Sequence, residues 1–180
     1  MKKYAIILLS ILLVSCTATK PEKPVKPVPT EVESETTLQI AVVKMEDDGK
    51  TGEKIGCGDS IIYIEKTAEG TKLEETKKIQ LALKELFAIG VTAVDDPYYN
   101  GLQHSKNLKV ENVNETNNGD NSIISVILSG ELISAGTCDD PRIKEQIYST
   151  VKANSSADEV QVYINDQELE EYFDMSGGAE

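Results

Sequence analysis

Two segments far apart in the chain hold most of the residues capable of chemistry. Ile55-Gly56-Cys57-Gly58-Asp59-Ser60 and Cys138-Asp139-Asp140-Pro141-Arg142 would gather two sulfurs, three carboxylates and a guanidinium if their loops met. That set has three readings. Cys57 and Cys138 could form a disulfide or stay as two buried thiols. Cys57, Asp59, Cys138, Asp139 and Asp140 could hold zinc, which accepts thiolate together with carboxylate. The close cysteine spacing of zinc sites is absent, however, and no EF-hand-like loop offers calcium a cage, so the expectation is no metal and no cofactor. Arg142 stands in the first turn of a helix, where a cation opposes the helix dipole and needs an anion nearby. The simplest partners are Asp139, Asp140 or a carboxylate on a facing strand; an external anion is the sharper alternative.

Nucleophilic catalysis has less to stand on, because it needs a nucleophile, a base and an orienting group within reach. The chain's one histidine, His104, lies in a loop between Gln103 and Ser105, and no serine sits in a Gly-x-Ser-x-Gly setting. Carboxylate pairs can be drawn anywhere in so acidic a chain and carry no signal without geometry. No catalytic residue is therefore expected. Tyr98 and Tyr99, beside Pro97 and Asn100-Gly101, are either an anchor pinning a long loop or an exposed contact patch. In a chain with no tryptophan and two phenylalanines the anchor is the expectation.

The third cysteine belongs to a different chemistry. Lys2 and Lys3 precede the apolar run Tyr4 to Val14, too short for a transmembrane helix of roughly 20 residues and of signal-peptide length. Leu13-Val14-Ser15-Cys16 resembles the lipobox of bacterial lipoproteins. That resemblance implies cleavage before Cys16, a diacylglycerol on its sulfur and acylation of the new amino terminus, which makes the membrane a partner through the lipid anchor. The location it implies is the outer face of the cell membrane, or an outer membrane if the host has one. With Cys16 lipidated, Cys57 and Cys138 form an even pair in an exported compartment, where a disulfide is the expectation and two free thiols the alternative. The net charge of −13 at pH 7 argues against nucleic acid, whose binding depends on basic residues.

Four of the six prolines fall at Pro21, Pro24, Pro27 and Pro29. This spacing favours extended polyproline II, a spacer between the anchor and the folded part. The domain plan is a signal peptide over 1–15, lipidated Cys16 and linker over 16–36, one domain over 37–174, and a disordered tail over 175–180. Alternation at Leu38, Ile40 and Val42 predicts a strand. Residues 45–58 read as a loop and Ser60 to Thr67 as a second strand. From Leu73 to Ile89 the period becomes helical: Ile79, Ala82, Leu83, Leu86 and Phe87 share a face, Thr71 and Glu74 suggest a capping box, and Gly90 a stop. Strands follow at Leu108 to Val113 and Ile123 to Leu128, with a hairpin turn at Asn117-Asn118-Gly119-Asp120. A second helix opens at Asp139, with Asp as cap, Pro141 in the first helical position and Ile143, Ile147 and Val151 as its stripe. Val160, Val162 and Ile164 give a last strand. The expected class is α+β: a mainly antiparallel sheet of four to five strands with two helices on one face, in the order β-(β)-α-β-β-α-β.

The arrangement resembles the GerMN domain, first described in sporulation and spore-germination proteins and common in bacterial lipoproteins. The residues carrying the resemblance are the two cysteine segments, Asn107-Leu108-Lys109-Val110, Leu128-Ser129-Gly130-Glu131-Leu132 and Val160-Gln161-Val162-Tyr163-Ile164-Asn165-Asp166. It implies a small α/β domain without catalytic residues, a variant in which Cys57 and Cys138 bridge two loops, and interactions with a protein or a cell-wall component outside the membrane. Arg142, Tyr98 and Tyr99 are the candidate interaction residues. A cell-wall hydrolase or metal-dependent enzyme, and a small-ligand carrier, are the alternatives.

Overall fold

The computed structural model describes residues 35–68, 72–93 and 96–173. The signal peptide, Cys16, the linker as far as residue 34, Thr71 of the expected capping box and the 175–180 tail lie outside these residues. Among the described residues, no helix is long and apolar enough to cross a membrane.

The class is α+β. Strand β1 (Thr36–Lys44) pairs antiparallel with β3 (Ser60–Ala68), setting Ile40 opposite Ile64 and Val42 opposite Ile62. The two-residue β2 (Glu53–Lys54), inside the expected 45–58 loop, pairs with the start of β3 and gives the sheet order β1-β3-β2. A second sheet has the order β4-β5-β6-β7. Here β4 (Lys106–Asn118) and β5 (Asn121–Glu131) form the expected hairpin, turning through Gly119 at φ +67° and Asp120. Helix α2 (Asp139–Ala153) then crosses back to β6 (Glu159–Ile164), which is parallel to β5. The short β7 (Gln167–Glu168) completes the sheet, and the one-turn α3 (Leu169–Tyr172) follows it. Helix α1 (Glu75–Ala88) lies between the sheets in chain order.

The strands thus divide between two sheets instead of sharing one, and one pair is parallel; α1 and α2 hold the sheets together. One apolar core takes Leu38 and Ile40 from β1, Ile79, Leu83 and Leu86 from α1, Ile124 and Val126 from β5, Ile143, Ile147 and Val151 from α2, and Val162 and Ile164 from β6. Two cap details differ from expectation. Glu74 stands at the N-cap of α1 without a side-chain cap bond, and Gly90 follows the helix without entering the left-handed region. In α2 the N-cap position falls on Cys138, and Pro141 is the third helical residue, where its missing N–H is still not needed.

Strand β1 is an edge strand, yet Ile40 to Val43 are all fully buried. Its free backbone groups would therefore be starved of water, and a polar stripe on α2 at four-residue steps supplies their partners. The Asn154 side chain accepts from Gln39 N–H at 3.0 Å and donates to Gln39 C=O at 2.6 Å. Thr150 Oγ1 accepts from Ala41 N–H at 3.0 Å, and Gln146 Nε2 donates to Ala41 C=O at 3.2 Å. Tyr99 continues the line, exchanging backbone bonds with Val43 at 3.0 and 2.6 Å. Three helix side chains and one loop residue thus act as the missing neighbouring strand, closing an edge open to aberrant pairing. Asn154→Ala leaves two half-buried backbone groups of Gln39 without partners and is expected to lower unfolding stability by about 1–3 kcal/mol. Urea denaturation checks this; a change within about 0.5 kcal/mol, ordinary for a surface position, contradicts the capping role.

Candidate functional site

The two cysteine segments do meet. Cys57 and Cys138 are joined in a disulfide, with Cα atoms 5.8 Å apart and a separation of 81 positions along the chain. Cys57 lies in a 3-10 turn (Gly56–Gly58) in the left-handed region at φ +62°, a conformation unusual for a residue with a Cβ. The preceding loop is held by Asp47, whose carboxylate accepts from Thr51 N–H at 2.7 Å and Thr51 Oγ1 at 2.9 Å. Burial opposes ionisation of Asp47, but these bonds together with the Ser60 hydroxyl and the Lys44 ammonium bring its pKa down to about 2.

Beside the disulfide lies a closed polar cluster. Arg142 Nε donates to Asp59 Oδ2 at 2.6 Å, and Nη2 reaches the same oxygen at 2.6 Å. Nη1 donates to Asp139 Oδ1 at 3.0 Å. The guanidinium carbon lies 5.1 Å from the centre of the Tyr99 ring, within cation–π range. Tyr99 O–H donates to Asp139, 3.1 Å from each carboxylate oxygen. The remaining acceptor capacity is also used: Asp59 Oδ1 takes the Glu46 N–H at 2.9 Å, and Asp139 Oδ2 the Ala135 N–H at 3.1 Å. Asp59 and Asp139 are 1% and 4% exposed. Burial disfavours the guanidinium's charge, but hydrogen bonds and charge from Asp59 and Asp139 outweigh it, and the Arg142 pKa rises above the ordinary arginine value. Burial, followed by the Asp139 carboxylate, raises the Tyr99 phenol.

Arg142 therefore takes its anions from within the chain, Asp59 and Asp139, while the Asp140 side chain forms no ion pair or hydrogen bond with another described residue. Asp139 anchors Arg142 and Tyr99 instead of capping α2 through its side chain. The sulfurs are bonded to each other, so neither is a thiolate ligand. Among the described residues, no group of three or more His, Cys, Asp or Glu is placed to hold a metal. His104 is exposed and has no hydrogen-bond or ion-pair partner among the described residues.

The neighbouring tyrosines take different parts, although both line one surface groove. Tyr99 is the anchor, joined to Val43 and packed against the small cluster of Ala41, Val43 and Ile61. Behind it, Gly101 N–H donates to Gln146 Oε1 at 2.7 Å, and a Cβ on Gly101 would stand 3.0 Å from that oxygen. Tyr98 lines a surface groove of about 660 Å³ with Lys44, Met45, Ala93, Pro97 and Gln103. Met45 is 47% exposed there, and Glu46 and Asp96 place carboxylates in its lining. Sequence periodicity gave no sign of this groove, which forms only where the 45–46 turn meets the 92–103 loop.

A scan against protein-family models finds no match, and a search of the curated proteins finds none. Among solved structures, the chain is similar to the tandem GerMN domains of the sporulation protein GerM from Bacillus subtilis. The identity is 11% and the TM-score 0.43, and the likeness covers 79% of this chain and 43% of that one. This chain thus spans less than half of that tandem structure. It is also similar to a provisionally assigned lipoprotein from Clostridium perfringens, at 15% identity and TM-score 0.40, over 75% of this chain and 76% of that one.

Proposed function

We propose that the chain is a non-enzymatic lipoprotein, tethered through Cys16 outside the cytoplasmic membrane, whose α+β domain binds another envelope protein through the groove beside Tyr98. One arrangement carries this reading. Asp59, Asp139, Arg142 and the hydroxyl of Tyr99 are bonded to one another, and beside them a groove lined by both Tyr98 and Tyr99 offers an accessible, partly apolar surface. Tyrosine and methionine are enriched at protein interfaces. The backbone bonds of Tyr99 to Val43 hold the loop that carries Tyr98. The groove opens to solvent, which suits a docked side chain better than a carried small molecule.

The test is photocrosslinking in the host cell, with a photoreactive phenylalanine analogue at position 98 of the full chain. The expected result is a discrete protein adduct when Cys16 is intact, reduced when Cys16→Ser prevents anchoring. Adducts no different from those obtained with the analogue at exposed Glu115 would overturn the assignment of the groove.

A further inference from the structure

The sequence contains the dipeptide Asn-Gly twice, and the fold treats the two copies in opposite ways. Asn-Gly is the pair best suited to forming an internal imide, because glycine has no Cβ to keep its nitrogen from reaching the asparagine amide carbon. Asn100-Gly101 is shut against this reaction. Asn100 is fully buried, its Nδ2 donates to Ile89 C=O at 2.7 Å, and its Oδ1 accepts from Leu102 N–H at 3.1 Å. The nitrogen that would attack, Gly101 N, donates to Gln146 Oε1 at 2.7 Å. Electrophile and nucleophile are therefore both held in place, away from water.

Asn118-Gly119 has none of these restraints. Both residues are exposed at the turn of the β4–β5 hairpin, where Asn118 faces Asn121 in the last pair of the ladder. The Asn118 side chain and the Gly119 N–H form no hydrogen bond with another described residue. Strand β6 supports β5 only from Ile123 onward, and Asp158 pins Ser122, accepting from its N–H at 2.8 Å and its hydroxyl at 3.0 Å. The closing pair beyond Ser122 is held by the ladder alone, and exposed ends of this kind open at little cost in free energy.

We infer that Asn118 is a site of spontaneous deamidation and isoaspartate formation, and that Asn100 is not. Gly119 N attacks Asn118 Cγ. The new N–C bond closes a five-membered imide as the Cγ–Nδ2 bond breaks, and the amide nitrogen leaves as ammonia with the proton from Gly119 N. Water then opens the ring. Attack at the Cγ carbonyl gives aspartate; attack at the backbone carbonyl gives isoaspartate, whose main chain runs through Cβ and Cγ. Either product places a new negative charge beside Asp120, and isoaspartate lengthens β4 by one backbone atom at its closing pair. The change stays at the tip, because Asp158 and β6 hold the register from Ser122 onward.

The test is peptide mapping by mass spectrometry of the full chain in detergent, incubated at mildly alkaline pH with and without urea. In the folded chain the Asn118 peptide is expected to gain one mass unit, as a mixture of aspartyl and isoaspartyl forms. It should do so more than about tenfold faster than the Asn100 peptide, which reacts only through openings of the core. In urea the two rates should converge, since the fold no longer distinguishes the sites. Asn118→Gln, at an exposed position that tolerates the change, is expected to abolish the reaction at the tip, because the longer side chain closes its six-membered ring far more slowly. An Asn118 peptide that stays unmodified in the folded chain, or an Asn100 peptide that reacts as fast there, overturns the inference.

Discussion

Arg142→Ala is expected to lower the stability of the folded domain by about 3–5 kcal/mol at neutral pH, the range for breaking a buried ion pair from one side. The size follows from what the substitution leaves behind. Asp59 and Asp139 remain at 1% and 4% exposure without their cation, and Tyr99 loses the guanidinium over its ring. A buried charge left without its partner costs far more than an exposed one. Urea denaturation of parent and variant at neutral pH checks the size. A loss below about 1 kcal/mol, the worth of an exposed salt bridge, contradicts a buried structural role.

Removal of the Cys57–Cys138 bridge by the double serine variant is the second large effect. Closing a loop of 81 residues corresponds to about 4.5 kcal/mol in the chain-entropy model, an upper figure that measured bridges often miss. Here two features reduce the loss. Asp59 and Asp139 keep the same two segments together through Arg142, and Cys57 is free to leave its left-handed conformation once the bond is gone. The expected result is a chain that still folds, with stability lowered by about 2–4 kcal/mol. Chemical denaturation gives the value. Complete unfolding of the variant would show that the ionic contacts cannot hold the loops alone, and an unchanged midpoint would show that the bridge contributes nothing.

Much of this was legible in the residues. The apolar stripe of α1, the Gly119-Asp120 hairpin and the Asp139-Asp140-Pro141 opening of α2 are local signals, and local signals survive into the fold. What stayed hidden depends on partners distant in sequence. Alternation at Leu38, Ile40 and Val42 marks a strand but not its neighbour, so the division into two sheets is invisible, as is the burial of Ala41 and Val43 on the strand's other side. Nothing local marks Gln146, Thr150 or Asn154 as partners for a strand edge. Their four-residue spacing beside the stripe of Ile143, Ile147 and Val151 was the available signal, but it acquires meaning only when an unpaired strand edge lies against it. Arg142 was conspicuous because it opposes the helix dipole. Its partner Asp59 lies 83 residues away, beyond the reach of any spacing rule.

The chemistry-bearing residues, on this view, shape the domain, and binding belongs to the surface around Tyr98. The most direct measurement is crosslinking from position 98 in an Arg142→Ala chain, at a temperature where circular dichroism shows it folded. The same adduct as in the parent is expected, at comparable yield. Its loss from a folded Arg142→Ala chain would contradict the separation of structure from function and place the guanidinium in the binding site.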